Sequence, residues 1–251
     1  MSPTCKLTLA DTKPHAGHSV IPSRQSAAHV HSAISAEVHG QLFAFAADLG
    51  LDQVFTYLVS PSTGKLTEVA IFQCTPGSGP RHMAIATHHS GETTHILYVI
   101  NELSSIVSSF VITANGTLRQ LDAASTLPSP KPAGFTKAAE ILLSSDNRYV
   151  SATHRGLLDG TTNSVAVFET DETGRLRLVR LQAPGGSFPR GMALVPLAGQ
   201  GRDPTATFLI AGQTSDNVAV FTGDSALQYT GINVTGLPNP VTIGVVELAR
   251  R

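Results

Sequence analysis

Eleven side chains able to bind anions or move protons recur at comparable places along the sequence: His29, His31, Arg81, His82, Asn101, Glu102, Glu140, His154, Arg155, Arg190 and Gln213. Arginine grips carboxylate or phosphate with a planar fork of N–H donors. Glutamate and histidine transfer protons, and burial or neighbouring charge tunes them toward neutral pH. Several arginines, two glutamates and several histidines gathered at one place would therefore suit a polyanionic small molecule and acid–base chemistry upon it. Some groups have plainer readings. A histidine can simply bond a backbone carbonyl. Asp48, Asp52 and Asp216 stand where they would brace turns. Arg175, Arg177, Arg180 and Lys65 fall on outer segments and should be solvated. His88 and His89 lie in a loop with Ser90 and Gly91 and read as surface. His29-Val-His31 places two imidazoles on one strand face, but no third ligand follows at a metal-site spacing, so neither metal nor cofactor is expected. A Gly-x-Ser-x-Gly elbow and a phosphate loop are both missing.

An internal repeat is what would bring these residues together. The segments His29-Val-His-Ser-Ala-Ile34, Pro80-Arg-His-Met-Ala-Ile85, Ala138-Ala-Glu-Ile-Leu-Leu143, Pro189-Arg-Gly-Met-Ala-Leu194 and Pro240-Val-Thr-Ile-Gly-Val245 align, their last residues separated by 51, 58, 51 and 51 positions. The longer step contains Pro128-Ser-Pro-Lys-Pro132. Each unit continues with a second apolar strand (Phe43–Ala47, Ile96–Ile100, Tyr149–Thr153, Phe208–Gly212) and an alternating third (Gln53–Tyr57, Ile106–Phe110, Ser164–Phe168, Asn217–Phe221). Three units add a glycine turn and a fourth strand, at Gly64–Val69, Gly116–Leu121 and Gly174–Val179. Alternation of period two between glycine-bearing turns reads as β throughout, with no convincing helix. Four strands at a period near 50 residues predict a β-propeller rather than a sandwich. In a propeller the first strand of each blade lines the central channel, and its neighbour runs antiparallel. Strand-one starts and strand-two ends then share one rim, where all eleven residues meet. The alignment makes Arg81 equivalent to Arg190, and His31 equivalent to His82 and Glu140.

The predicted organisation is a single domain over 1–251. It comprises an N-terminal extension that offers an extra strand at Lys6-Leu-Thr-Leu9 (1–28), blades at about 29–79, 80–137, 138–188 and 189–239, and a partial blade over 240–251. With 41% hydrophobic and 14% charged residues the chain can bury a core, and its net charge of −1 offers no field for nucleic acid. No apolar run approaches the ~20 residues of a membrane helix. Met1–Ser26 lacks the apolar core of a secretory signal, and two distant cysteines, Cys5 and Cys74, read as free thiols. The expectation is a cytoplasmic protein with neither nucleic-acid nor membrane partners.

The rim residues also carry a family resemblance. Ala47-Asp-Leu-Gly-Leu-Asp52, Gly77-Ser-Gly-Pro-Arg-His82, Val99-Ile-Asn-Glu-Leu-Ser104, Ala138-Ala-Glu-Ile141, Arg155-Gly156, Pro189-Arg-Gly191 and Ser215-Asp-Asn217, with His29-Val-His-Ser32, resemble the lactonase-type propellers. These include 6-phosphogluconolactonases and carboxymuconate cyclases, and the likeness runs from about 16 to 247. It implies catalytic roles for His29, His31, Glu102, Glu140 and Arg155. Contacts to a small anionic metabolite would come from Arg81, His82, Asn101, His154, Arg190 and Gln213. Glu102 or Glu140 would activate water, and Arg155 or Arg81 would stabilise the oxyanion. The implied activity is hydrolysis of an anionic sugar lactone, with a lactonising cyclase or a non-catalytic binding propeller as alternatives. Two departures stand out. His154 replaces the Asn that commonly precedes Arg-Gly. The resemblance is to seven-bladed proteins, so about two N-terminal blades would be lacking, and open blade edges would invite a homo-oligomer.

Overall fold

The computed structural model describes residues 7–89, 91–127, 136–156, 163–195, 207–223 and 227–245. Within them lie sixteen strands in four antiparallel four-stranded sheets, each in sequence order. The first sheet is β1 (Val30–Val38), β2 (Gln41–Asp48), β3 (Gln53–Val59) and β4 (Leu66–Gln73). The second is β5 (Pro80–His88), β6 (Thr94–Asn101), β7 (Ile106–Ile112) and β8 (Leu118–Ser125). The third is β9 (Thr136–Leu143), β10 (Tyr149–Gly156), β11 (Ser164–Glu169) and β12 (Arg177–Gln182). The fourth is β13 (Pro189–Val195), β14 (Thr207–Gly212), β15 (Asn217–Thr222) and β16 (Gln228–Thr235). A single helical turn, α1 (Pro22–Gln25), precedes them. The first strands stand side by side, β1 against β5, β5 against β9 and β9 against β13, as blades do around a channel.

The middle strands of the second and third blades are apolar on both faces because each of these blades is packed between two others. Along β6, Ile96, Tyr98 and Ile100 join the third blade's Val150, Ala152 and Phe168, while Leu97 and Val99 join the first blade's Phe43, Phe45 and Val54. Val165 and Val167 of β11 pack in turn on Phe208, Ile210 and Phe221. Alternate side chains of one strand thus feed two different cores.

Every first strand is bulged near its start, and the bulge sets the site. Pairing skips from Val30 to Ser32, from Pro80 to His82 and from Pro189 to Gly191, and β9 is interrupted between Ala138 and Ile141. A bulge inserts an unpaired residue and re-aims its side chain. His31, Arg81 and Arg190 occupy that inserted position. The alignment that equated His31 with His82 and Glu140 is therefore off by one: His82 has Ser32, not His31, as its counterpart.

Three further differences concern the ends of the units. Residues 7–9, where an extra strand was expected, are irregular and leave Leu7 and Leu9 exposed; Lys6 lies outside the described residues. Residues 240–245, the expected start of a fifth unit, form no strand either, although the Val241 backbone passes so close to Gly191 that a Cβ there would lie 2.8 Å from its carbonyl oxygen. Residues 246–251 and 128–132 are outside the described residues. The fourth sheet does have an outer strand, β16, which its polar sequence had hidden and which is exposed along its whole length.

The N-terminal segment covers the outer face of the first blade. Asp11 accepts from the Leu66 amide at 2.9 Å. His15 stacks on Phe55 at 3.6 Å and bridges Asp48 and Tyr57, each at 2.7 Å. Ser19 donates to Asp52 at 2.5 Å, and the fully buried Gln25 donates to the Leu49 carbonyl at 2.9 Å.

Candidate active site at the channel rim

Glu102 follows β6 directly and is 2% exposed. Three guanidiniums surround it: Arg24 lies 2.7 Å from Oε1, and Arg81 and Arg155 lie 3.0 and 3.1 Å from Oε2. Burial alone would raise its pKa, but Arg155, Arg24, Arg81 and Lys137 outweigh that and hold the carboxyl below its usual range. Its backbone is fixed as well, since the Glu102 amide donates to the Gly79 carbonyl at 2.7 Å. Gly79 has φ +65°, which a glycine adopts without strain, and its own amide donates to Asp52 at 2.7 Å.

Arg81 and Arg155 are largely consumed by the protein. Arg81 also donates to the Ala139 carbonyl, and Arg155 donates to Ala138 O at 2.8 Å and Lys137 O at 3.3 Å. The Arg155 guanidinium lies over the Phe188 ring at 5.2 Å. Burial, partly offset by Glu102, brings Arg155 down to about 10, so it keeps its charge at neutral pH.

Beside this cluster is a carboxylate–imidazole pair. His82 Nδ1 lies 2.5 Å from Glu140 Oε1, and both side chains are partly exposed. The Glu140 amide donates to Thr153 Oγ1 at 2.8 Å, which holds its backbone. A carboxylate on Nδ1 fixes the imidazole orientation and leaves Nε2 as the nitrogen able to take a proton, the arrangement of an oriented general base. The His31 ring centre is 5.0 Å from that of His82 and 5.7 Å from that of His29. Burial first, then Arg81 and His82, pushes His31 down to about 3, so its imidazole is neutral at physiological pH. Its Nδ1 is buried with no hydrogen-bond partner among the described residues. Half-buried Arg190 makes a long contact, 3.3 Å, to Gln213.

The family model for the seven-bladed β-propeller lactonases matches residues 5–242. The chain belongs to that lactonase family. Bacillus subtilis 6-phosphogluconolactonase is 31% identical over 88% of this chain and 56% of its own length. The Pseudomonas aeruginosa periplasmic gluconolactonase superposes with a TM-score of 0.68 at 32% identity, covering 90% of this chain and 59% of that one. A Lactobacillus plantarum protein reaches a TM-score of 0.78 at 28% identity, over 96% of this chain and 65% of the other. The chain thus spans about half the length of the curated lactonases it matches.

Within this lactonase scaffold the expected rim residues separate into groups. Glu102, Arg81 and Arg155 form one ion cluster, His82 and Glu140 a second pair beside His31, and Arg190 with Gln213 a third. His29 is exposed, and its amide donates to Asp48 at 2.7 Å. Two expected substrate contacts lie buried. Asn101 donates to the Ile106 carbonyl and Ser108 Oγ, each at 3.1 Å, and so braces its own turn. His154 is fully buried in β10. Asp48, Asp52 and Asp216 do brace turns, accepting from Gly50, Gly79 and Asn239 amides respectively. Arg24 and Lys137 are additions. Arg24 lies outside the repeats, so no periodic reading reaches it. Lys137 stands one residue before an aligned segment, opposite Arg155 in the β9–β10 register. Among the described residues no group of three His, Cys, Asp or Glu is gathered as for a metal, and no helix is long and apolar enough to cross a membrane.

Proposed function

We propose that the protein hydrolyses a small anionic sugar lactone of the 6-phosphogluconolactone type. The observation that carries this reading is the His82–Glu140 pair, 2.5 Å apart, beside a rim of cations. Glu140 orients His82 so that Nε2 takes a proton from water. The water oxygen bonds to the lactone carbonyl carbon, and Arg190 lies in the cationic rim to stabilise the oxyanion. Collapse breaks the ring C–O bond, the imidazolium returns its proton to the departing alkoxide, and the open hydroxy acid leaves. Glu102 has a different task from the base first expected of it. Three arginines occupy its oxygens, so it organises cations rather than receiving a proton. His31, neutral and short of a partner, remains available to a substrate hydroxyl.

The relatives' activity with lactones supports this reading, and a cytoplasmic site of action is part of it, in keeping with the free thiol of Cys74. Self-association through open blade edges belongs to the same proposal. It is supported by exposed Tyr229, Ile232 and Val234 on β16, and light scattering at micromolar protein tests it. Ring opening of 6-phosphogluconolactone, followed by acid release, tests the activity. Release unaffected by His82→Ala would remove the assignment, and cyclisation of a carboxymuconate instead would favour the lactonising alternative.

A further inference from the structure

Arg24 enters the rim from outside the blades, and its attachment is firm. The α1 turn is held by Gln25, whose side chain donates to Leu49 O at 2.9 Å and accepts from the Ile21 amide at 3.1 Å. Ser19 ties the same turn to Asp52. Among the described residues the only acceptor of Arg24 is Glu102, its Nε is buried without one, and its side chain is 33% exposed. Arg81 and Arg155, by contrast, are 3% and 5% exposed and donate to Glu102 and to backbone carbonyls. They have little left to give a ligand.

Lys137 faces the same end of the cluster. It pairs with Arg155 in the strand register, and Glu102 acts on its ammonium by charge without a hydrogen bond between them. Burial first, then the nearby Arg24, lowers its pKa, with Glu102 opposing. Four cations, Arg24, Arg81, Arg155 and Lys137, therefore crowd one carboxylate, and the two carrying unspent donors are neighbours. Like charges brought together this way are unfavourable unless an anion lies with them, and charge-assisted hydrogen bonds to phosphate or carboxylate are among the strong ones.

We propose that Arg24 and Lys137 form the subsite for the anionic group of the substrate, a phosphate or carboxylate distant from the reacting ring, while Arg81 and Arg155 hold Glu102. This rests on the lactonase reading for its substrate but not for its binding prediction. The N-terminal segment, through Arg24, then sets the preference for a charged over an uncharged lactone.

The test compares wild type with Arg24→Gln, Arg24→Lys, Lys137→Gln and the solvent-exposed control Arg177→Gln, each checked for native circular dichroism. Calorimetric titration with 6-phosphogluconate and with inorganic phosphate reads the subsite directly. Arg24→Gln and Lys137→Gln should each weaken 6-phosphogluconate about 10- to 100-fold, the range for a lost charged hydrogen bond. Arg24→Lys should recover part of that loss, and Arg177→Gln should match wild type. The ratio of kcat/KM for 6-phosphogluconolactone over glucono-δ-lactone should fall by a similar factor, through KM. Should wild type open neither lactone while both Gln variants still weaken 6-phosphogluconate, the lactonase reading fails and the subsite stands. Wild-type affinity in both Gln variants, or no binding of either anion by wild type, overturns the proposal. Should Arg24→Gln lose its fold, Lys137→Gln and Arg24→Lys decide.

Discussion

The guanidinium of Arg24 lies 2.7 Å from Oε1 of Glu102, across 78 residues of chain. This contact fastens the segment before the first blade to the end of the second blade's β6, at the rim where the bulged first strands present their polar side chains.

Glu102 is the stabilising member of the cluster. Glu102→Gln leaves Arg81 and Arg155 buried without a counter-charge, which should lower unfolding free energy by about 3–5 kcal/mol. Arg24→Gln removes a partly exposed partner and should cost about 1 kcal/mol or less. Urea unfolding midpoints check the contrast; equal losses would show that Glu102 is not the hub.

The acid–base pair should appear in kinetics. His82→Ala should lower kcat for lactone opening by about 10²–10⁴-fold, as removal of a general base does. Glu140→Gln should lower it less, because water and His82 survive without the orienting carboxylate. Stopped-flow acid release measures both, and a Glu140 variant more damaged than the His82 variant would reverse the roles.

His31 predicts how stability follows pH. In the folded protein its imidazole resists protonation down to about 3, whereas in the unfolded chain it takes a proton near its ordinary 6.5. The unfolded state therefore binds more protons between these values, and stability falls as pH drops through that window. Glu102, held below its ordinary 4.5, adds a further loss at the acid end. His31→Gln should flatten the decline in thermal midpoint between pH 6.5 and 4.5. An unchanged slope would show that His31 protonates freely in the fold.

The N-terminal segment should behave as a strap. His15→Ala removes two buried hydrogen bonds and the stack on Phe55, and should cost about 1–3 kcal/mol. Because the same segment delivers Arg24, the variant should also raise KM for the charged lactone. Limited proteolysis before Arg24 reports release of the strap directly; undiminished protection would separate His15 from the segment's docking.

Much of this was legible because blades repeat. The repeat, with steps of 51, 58 and 51 residues, locates β1, β5, β9 and β13, and their antiparallel partners place Glu102 and Arg155 at one rim although 53 residues separate them. The one-residue bulge at His31, Arg81 and Arg190 was hidden, since a bulge alters pairing and leaves composition unchanged. Arg24 was hidden for another reason: its placement depends on Gln25 and Ser19 docking an irregular segment, which has no period to read. Asn101 and His154 shared the rim's sequence position, but a turn claimed the amide of one and the sheet interior took the other.

Lactone ring opening by the purified chain tests the central claim most directly. With 6-phosphogluconolactone as substrate at pH 7, acid release in a weakly buffered indicator assay should exceed spontaneous hydrolysis by a factor that scales with protein concentration, and His82→Ala should abolish that excess. Release at the spontaneous rate with folded wild-type protein, or an excess that His82→Ala leaves intact, would contradict the account.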